Sequence, residues 1–280
     1  MYHNPMDTSD IPELVMDTGA QMPQIGFGLW RNPDRDECVD AVAYALDAGY
    51  SHFDDAQVYG NEQHLGEAIA NSGVDRGELF ITTKISTDNM DPELVVPSFL
   101  ESLHKLRTEY VDLLLLHFPV TEFRADAWPK LEKLYEEGTA KAIGVSNYTI
   151  EHLEELLQTC TVKPAVNQIE LSVGLQQPAL VEYCKDNGII VQAYSPLAEG
   201  NLFDDPILKE LAAKHGKTVP QIMLRWCIDY GVVCLTKSAN KERIEQNIDI
   251  FDFELDKGDM AKLKTLDRGL RTNWDPTDVE

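Results

Sequence analysis

Four side chains that together could move a proton stand just beyond strand-like runs of this sequence. Asp54 closes one strand-like run, and Tyr59 follows it five residues later, while Lys84 and His117 end two further runs. A carboxylate, a phenol, an amine and an imidazole that meet at one place form a proton-transfer site. Tyrosine is a poor acid at neutral pH unless a neighbouring cation favours its phenolate.

The elements that must position these residues alternate between strands and helices, which is the pattern of a parallel sheet wrapped by helices. Strands are predicted at 25–29, 50–54, 79–84, 111–117, 140–145, 165–168, 189–194 and 232–236. Helices are predicted at 34–48, 62–71, 92–106, 125–137, 149–158, 178–187, 219–229 and 241–248, the third of them capped by Asp91 with Pro92 in its first turn.

Eight strand–helix pairs predict an α/β fold of the (β/α)8 TIM barrel type, in which the carboxyl ends of the strands converge on one face. The alternative is an open doubly wound sheet, which usually carries Gly-x-Gly-x-x-Gly after its first strand. The run Gly-Phe-Gly-Leu-Trp-Arg at 26–31 lacks the third glycine. Outside the repeat we expect an N-terminal β-hairpin at 14–23 that plugs the barrel floor, and two extra helices at 206–215 and 256–267.

Composition places the chain among large, acidic α/β proteins. Its 280 residues suit one domain spanning 1–280, and its net charge of −24 argues against nucleic acid as a partner. No run approaches a membrane span, no signal peptide is evident at the N-terminus, and the five cysteines are far apart, so we expect a cytoplasmic protein with free thiols. The dispersed acids resemble those of proteins from high-salt cytoplasm, the alternative being a merely soluble acidic protein.

Several short motifs, taken in order, give the sequence a clear resemblance to the aldo-keto reductase family. The run Phe-Asp-Asp-Ala-Gln-Val-Tyr-Gly-Asn-Glu at 53–62 is similar to the first signature of that family. Matching runs follow the later strands: Ile-Thr-Thr-Lys-Ile at 81–85, Leu-Leu-His-Phe-Pro at 115–119, Gly-Val-Ser-Asn-Tyr at 144–148, Asn-Gln-Ile-Glu at 167–170, Tyr-Ser-Pro-Leu at 194–197 and Lys-Ser at 237–238. The matches extend over nearly the whole chain.

The resemblance implies a nicotinamide-dependent carbonyl reductase. In such an enzyme Tyr59 would protonate the carbonyl oxygen, Lys84 would favour the phenolate, Asp54 would pair with Lys84, and His117 would orient the carbonyl. Elementary chemistry agrees, because hydride addition places negative charge on oxygen and a nearby donor stabilises it. Asp55 stands where the family commonly has threonine. Because side chains alternate along a strand, only Asp54 of the two adjacent acids is expected to point into the site.

The same resemblance assigns a set of cofactor-binding residues. Ser146, Asn147 and Gln168 would contact the nicotinamide carboxamide, and Tyr194 would stack on the nicotinamide ring. The backbone at Ser195 and Leu197 would follow the pyrophosphate.

At the adenosine end, Lys237 and Ser238 would open the loop into the last barrel helix, where helix amides favour phosphate. Arg243 would contact a 2′-phosphate, Gln246 would hydrogen-bond adenine, and Asn247 completes the set. Lys237 and Arg243 favour NADPH over NADH, although NADH is possible.

The substrate pocket is expected to be lined by Trp30 and Phe118 beside Tyr59, with Trp128 and Trp274 either closing its mouth or simply packing. A short tail after the final helix predicts an open, shallow pocket suited to small aldehydes, α-keto compounds or sugar-derived carbonyls. No metal-ligand spacing is evident among the histidines, and we expect a monomer that meets no membrane. The rival functions are a cofactor-sensing regulatory subunit with little turnover and an isomerase that uses Lys84 as a Schiff base.

Overall fold

The computed structural model describes residues 11–278, which form a closed barrel of eight parallel strands. An antiparallel hairpin, β1 (Glu13–Val15) and β2 (Gln21–Pro23), precedes the barrel. The barrel strands are β3 (Ile25–Gly28), β4 (His52–Asp54), β5 (Phe80–Ile85), β6 (Leu113–Leu116), β7 (Ile143–Ser146), β8 (Val166–Glu170), β9 (Ile190–Tyr194) and β10 (Val233–Thr236). Each strand pairs with the next in parallel, and β10 closes on β3. The predicted barrel is confirmed and the open sheet is excluded.

Ten α-helices lie in the described part of the chain: eight lie between successive barrel strands and two follow the last strand. They are α1 (Arg35–Ala48), α2 (Glu62–Ser72), α3 (Val95–Leu106), α4 (Arg124–Glu136), α5 (Ile150–Thr159), α6 (Pro178–Asp186), α7 (Pro206–His215), α8 (Val219–Tyr230), α9 (Lys241–Ile248) and α10 (Lys257–Lys264). The two additional helices expected from the sequence are α7 and α10. Within residues 11–278 none of the helices could cross a membrane.

The third helix begins later than the sequence predicts. Asp91 accepts a hydrogen bond from the backbone amide of Glu93 at 2.9 Å, so it caps a separate turn. Helix α3 itself begins at Val95 after Leu94, which provides no side-chain cap. Pro92 lies in the turn, so the predicted helix start at residue 92 is wrong by three residues.

Strand alternation divides the core into two clusters. Along β6, Leu114 and Leu116 face the helices and join the large cluster between strands and helices. Leu113 and Leu115 face the barrel interior, where they belong to a smaller cluster. Continuing the same period of two places the next residue, His117, on the interior side.

The hairpin closes the amino-terminal end of the barrel, as expected. Met16 and Met22 from its two sides are buried in the interior cluster against Phe80 and Val233. Its turn contains Gly19 at a φ of 82°, a conformation that glycine adopts at little cost. The hairpin thus contributes apolar side chains to the floor of the barrel.

Candidate active site

Lys84 is the centre of a buried polar cluster at the carboxyl end of the strands. Its side chain is fully buried inside the barrel on β5. The ammonium nitrogen donates to Asp54 Oδ1 at 2.6 Å, to the Asp55 backbone oxygen at 2.9 Å and to the Tyr59 hydroxyl at 3.2 Å. Three acceptors match the three hydrogens of an ammonium group, so its hydrogen-bonding capacity is satisfied. Asp54, Tyr59 and Lys84 are therefore in direct contact.

The phenol of Tyr59 is subject to two opposing influences. Burial raises its pKa, while the ammonium of Lys84 lowers it, and the outcome is a rise to about 12. The sequence-based expectation that Lys84 would bring this pKa below its ordinary value is therefore wrong for this structure, because burial outweighs the ammonium. Tyr59 is thus protonated at neutral pH. It can donate its proton when a neighbouring oxygen gains negative charge.

The pKa of Lys84 shows the converse balance. Burial would lower it, but the adjacent Asp54 carboxylate and Tyr59 outweigh burial and raise it. The lysine therefore remains a cation at neutral pH. A buried cation is tolerated because a carboxylate is 2.6 Å away and further hydrogen bonds satisfy it.

His117 completes the group. Its ring lies edge-on to the ring of Tyr59, with 5.7 Å between the centroids. Burial, and next the nearby ammonium of Lys84, lower its pKa to about 3, so the imidazole is neutral at physiological pH. A neutral imidazole can accept or donate one hydrogen bond, which suits it to orient a polar ligand above the phenol.

Asp55 points away from this group, as strand alternation predicts, but its backbone takes part. Its carbonyl oxygen is one of the three acceptors for Lys84. Its carboxyl group is fully buried, with Oδ1 accepting from the Ala56 amide at 2.8 Å and Oδ2 unpaired. Burial raises the pKa of Asp55 well above its usual range, and nearby Glu62 adds to the effect.

Aromatic side chains surround the phenol. The half-exposed ring of Trp30 lies 4.9 Å from the ring of Tyr59. Phe118 is buried and packs edge-on against the exposed Trp274 from the tail, at 6.0 Å. Trp128, in contrast, lies within α4, fully buried, and its indole donates to Glu132 and to the Val162 carbonyl. Of the two tryptophans in question, Trp274 reaches the mouth and Trp128 only packs.

A second polar group adjoins the phenol at the ends of β7, β8 and β9. The Asn147 amide donates to the His117 carbonyl and to Ser146 Oγ, both at 3.1 Å, and its oxygen accepts from the Tyr194 hydroxyl at 2.8 Å. Ser146 Oγ donates to the Gln168 carbonyl at 2.9 Å. The lone pairs left over on these side chains are acceptors, so the group is suited to bind N–H donors.

Three of the five residues predicted for the adenosine end line a surface cleft of about 450 Å³ at the start of α9. The cleft is lined by Lys237, Ser238, Ala239, Asn240 and Arg243. Asn240 caps the helix by accepting from the Arg243 amide at 2.9 Å. Within residues 11–278 neither Lys237 nor Arg243 forms an ion pair, although acids outnumber bases two to one in the chain. Unpaired cations beside a helix N-terminus form an anion-binding surface.

Gln246 and Asn247 follow Arg243 on α9. Gln246 is exposed, whereas Asn247 is 6 % exposed and lies against the barrel side of the helix. Both remain predictions as ligand contacts.

Loops over the barrel mouth are held in uncommon backbone conformations. Of the seven non-glycine residues with positive φ in the described chain, five follow β3, β7 or β9: Arg31, Asn147, Ser195, Ala198 and Glu199. Such conformations are strained and concentrate at functional sites. Arg31 bridges to Glu199 at 3.2 Å, and Leu197 lies half-buried in the same loop.

Two features of the site escaped the sequence analysis. Buried Glu170 accepts hydrogen bonds from the amides of Thr272 and Asn273, and Asn273 in turn donates to Ser195 Oγ at 3.0 Å, so the tail is anchored at the mouth. Gln192 also lies inside the barrel, hydrogen-bonded to Gln168. Gln192 stands two residues before Tyr194 on the same strand, so the two side chains point to the same side. This spacing is the signal in the sequence that could have revealed Gln192.

The described part of the chain brings no three potential metal-ligating side chains together. All five cysteines are free.

Comparisons with known proteins place these features in a family. The family model described as "Aldo/keto reductase family" matches residues 24–268. The glyoxal reductase of Bacillus subtilis (strain 168) is 41 % identical over 98 % of this chain and 99 % of its own length. Methylglyoxal reductase DkgA of Escherichia coli (strain K12) is 40 % identical over 94 % of this chain and 96 % of its own.

A solved structure of an aldo-keto reductase also matches this chain in fold and in sequence. A Bombyx mori aldo-keto reductase in complex with NADP superposes with a TM-score of 0.87 at 36 % identity. The match covers 93 % of this chain and 94 % of that one.

The buried carboxyl group of Asp55 leads to a prediction about stability. The unfolded chain has a pKa of about 4 for this group, and the folded protein has a higher one. At a pH between the two values the folded protein holds a proton that the unfolded chain has released. Stability therefore falls as pH rises above the unfolded value. Asp55→Asn cannot ionise, so its Tm should exceed that of the parent at about pH 8, and the gap should narrow towards about pH 5.

Asp54→Asn is the matched control, because it removes the carboxylate that pairs with Lys84. It should lower the free energy of unfolding in urea by about 3–5 kcal/mol, since a buried ammonium loses its partner. An Asp55→Asn variant that is equally destabilised, or whose Tm gap does not change with pH, would contradict the assignment of a protonated Asp55.

Proposed function

We propose that Tyr59 is the general acid of a carbonyl reductase. The chain belongs to the aldo-keto reductase family, and its activity is the NADPH-dependent reduction of aldehydes and ketones. The observation that carries the proposal is the contact between the Lys84 ammonium and the Tyr59 hydroxyl at 3.2 Å. We propose Asp54, Lys84 and His117 as its partners.

The four residues have separate tasks. Reduced nicotinamide, when bound, would supply the hydride that adds to the carbonyl carbon. Tyr59 is protonated and donates to the carbonyl oxygen as charge develops there, and Lys84 stabilises the phenolate that results. Asp54 holds Lys84 in place, and His117, being neutral, orients the carbonyl.

The nicotinamide end of the cofactor fits the second polar group. We propose that Ser146, Asn147 and Gln168 receive the carboxamide, and that Tyr194 stacks on the ring. The acceptor lone pairs that these amides leave free match the two hydrogens of a carboxamide nitrogen. Ser195 and Leu197 lie on the loop between this group and the mouth, where we propose that the pyrophosphate passes.

The adenosine end fits the cleft at α9. We propose that Lys237, Ser238 and Arg243 bind the 2′-phosphate that distinguishes NADPH from NADH, with Gln246 and Asn247 beside the adenine. The support is the cleft lining and the absence of ion-pair partners for both cations within residues 11–278. Arg243 has the planar fork that suits a phosphate.

For the substrate we propose small carbonyl compounds, with glyoxal-like dicarbonyls as the first class to test. Trp30, Tyr59 and His117 bring three aromatic rings together at the proposed reacting position, and Phe118 with Trp274 borders the mouth. The relatives named above as glyoxal and methylglyoxal reductases favour the same class.

The two rival functions are less well supported. A regulatory subunit does not need the buried Asp54–Lys84–Tyr59 contacts, and the matched relatives are named as reductases. A Schiff-base lysine needs a neutral amine, whereas Lys84 is held as a cation by the carboxylate 2.6 Å away.

Tyr59→Phe should abolish turnover and leave the cofactor bound. The phenyl ring preserves the packing with Trp30, but the proton donor is lost, so kcat/KM for methylglyoxal should fall by about 10²–10⁴-fold. The Kd for NADPH, measured by fluorescence titration, should change by less than about twofold. Tyr135→Phe on the outer helix layer is the control and should behave like the parent. Near-normal turnover in Tyr59→Phe would exclude this mechanism.

Arg243→Ala should weaken NADPH selectively. A charge-assisted hydrogen bond to phosphate contributes about 1.5–3 kcal/mol, so the Kd for NADPH should rise by about 10–100-fold while that for NADH stays the same. Arg268→Ala, an exposed arginine paired with Asp205, is the charge-matched control. A parent enzyme whose catalytic efficiency is higher with NADH than with NADPH would refute the preference.

We further propose that the enzyme is a cytoplasmic monomer adapted to high salt. Among the acids of residues 11–278 only five are buried, so most of the charge of −24 belongs to the surface. Such a surface repels other copies of the chain and is tolerated where salt screens it. Five free cysteines suit a reducing compartment.

Thermal stability should therefore rise steeply with KCl between about 0.1 M and about 3 M, because screening removes repulsion among the acids. Calorimetry across this range is the measurement, with sucrose of equal osmolality as the control for general solute effects. A Tm that does not respond to KCl would remove the high-salt proposal.

A further inference from the structure

A chain of buried side chains runs inside the barrel from the active site to the hairpin at the floor. It passes from Asp54 through Gln168 and Gln192 to His52, and it ends at the backbone oxygen of Pro23. Gln168 on β8 and Gln192 on β9 are direct neighbours in the strand register. Each of the four side chains is 3 % exposed or less.

The contact between His52 and the Pro23 oxygen, at the floor of the barrel, fixes the direction of the hydrogen bonds in this row of side chains. A carbonyl oxygen can only accept, so His52 Nδ1, 3.2 Å from the Pro23 oxygen, carries a hydrogen. Burial lowers the pKa of His52 to about 4, so the ring is neutral and its other nitrogen, Nε2, is an acceptor. The Gln192 amide nitrogen, 3.2 Å away, therefore donates to His52.

The orientation of the Gln192 amide in turn fixes the orientation of the Gln168 amide. With its nitrogen facing His52 and Met22, Gln192 presents its oxygen to the Gln168 nitrogen at 2.6 Å. The same nitrogen donates its second hydrogen to Asp54 Oδ2 at 2.7 Å. Both hydrogens of Gln168 are thus used. Its oxygen accepts nothing from residues 11–278 and is not among their buried unpaired atoms, so it stays available to a ligand.

We infer that Gln192 is a positioning residue that, together with Asp54, holds the Gln168 amide with its oxygen towards the nicotinamide carboxamide. This inference rests on the proposed cofactor site. It implies that the protein recognises the carboxamide by its N–H groups. An analogue without that nitrogen leaves the Gln168 oxygen unpaired, which is unfavourable in a buried site.

The experiment compares the Kd of NADPH with that of the reduced 3-acetylpyridine analogue of NADPH, in which a methyl group replaces the carboxamide nitrogen. The parent should bind the analogue about tenfold more weakly, since a buried acceptor left unpaired is unfavourable. Gln192→Met removes the acceptor for Gln168 and should reduce this discrimination to about threefold or less. Equal discrimination in Gln192→Met and in the parent would overturn the inference.

Gln176→Met is the matched control. Gln176 is also buried, at 5 % exposed, and donates two hydrogen bonds to backbone oxygens, of Val173 and Leu263, outside the barrel interior. The substitution should lower Tm by a similar amount but keep the parent's discrimination. If this control also loses discrimination, the cause is general destabilisation of the protein and not loss of the Gln192–Gln168 hydrogen bond. That result would also overturn the inference.

Gln192→Glu is the second variant, usable if Gln192→Met does not fold. It keeps an acceptor oxygen towards Gln168, so discrimination should be retained, whereas its loss would contradict the inference. A parent that fails to bind NADPH would instead refute the proposed function. A parent that binds NADPH and the analogue equally well would leave that function in place and refute this inference alone.

Discussion

The site depends on one constraint, which is that the Lys84 ammonium lies entirely inside the barrel. Removing a cation from water costs several kcal/mol unless a partner charge and hydrogen bonds compensate for it. Asp54, the Asp55 carbonyl and Tyr59 supply these contacts from the end of β4 and the turn after it. The position of the phenol is therefore a consequence of satisfying the lysine.

The need to pair buried polar atoms also determines the contacts of side chains deeper in the barrel. Asp54 has a second oxygen that must also be paired, and Gln168 pairs it, which in turn engages Gln192 and His52. The barrel interior therefore contains a row of hydrogen-bonded polar side chains that reaches the hairpin, beside an apolar cluster that includes Met16 and Met22. Hydrogen bonds between these side chains restrict their movement, and a site for directed hydride and proton transfer requires such rigidity.

Electrostatics separates the two ends of the proposed cofactor site. At the phenol, burial dominates, so Tyr59 holds its proton and His117 remains neutral. At the surface by α9, Lys237 and Arg243 have no ion-pair partner within residues 11–278, on a protein with a net charge of −24. One end is thus suited to acid catalysis in a water-poor pocket, and the other to attracting a phosphate from solvent.

The sequence alone determined the barrel, the order of its strands and helices, and which of the adjacent acids Asp54 and Asp55 points into the site. Periods of two and of 3.6 are local properties, which is why alternation along β4 separated these two side chains correctly. Only the tertiary structure decided the raised pKa of Tyr59, the packing of Trp128 within α4, the anchoring of the tail by Glu170 and the chain through Gln192. Each depends on burial, or on which residues of separate strands and loops come into contact. Those contacts are set by how the closed barrel brings distant segments together, which no local pattern encodes.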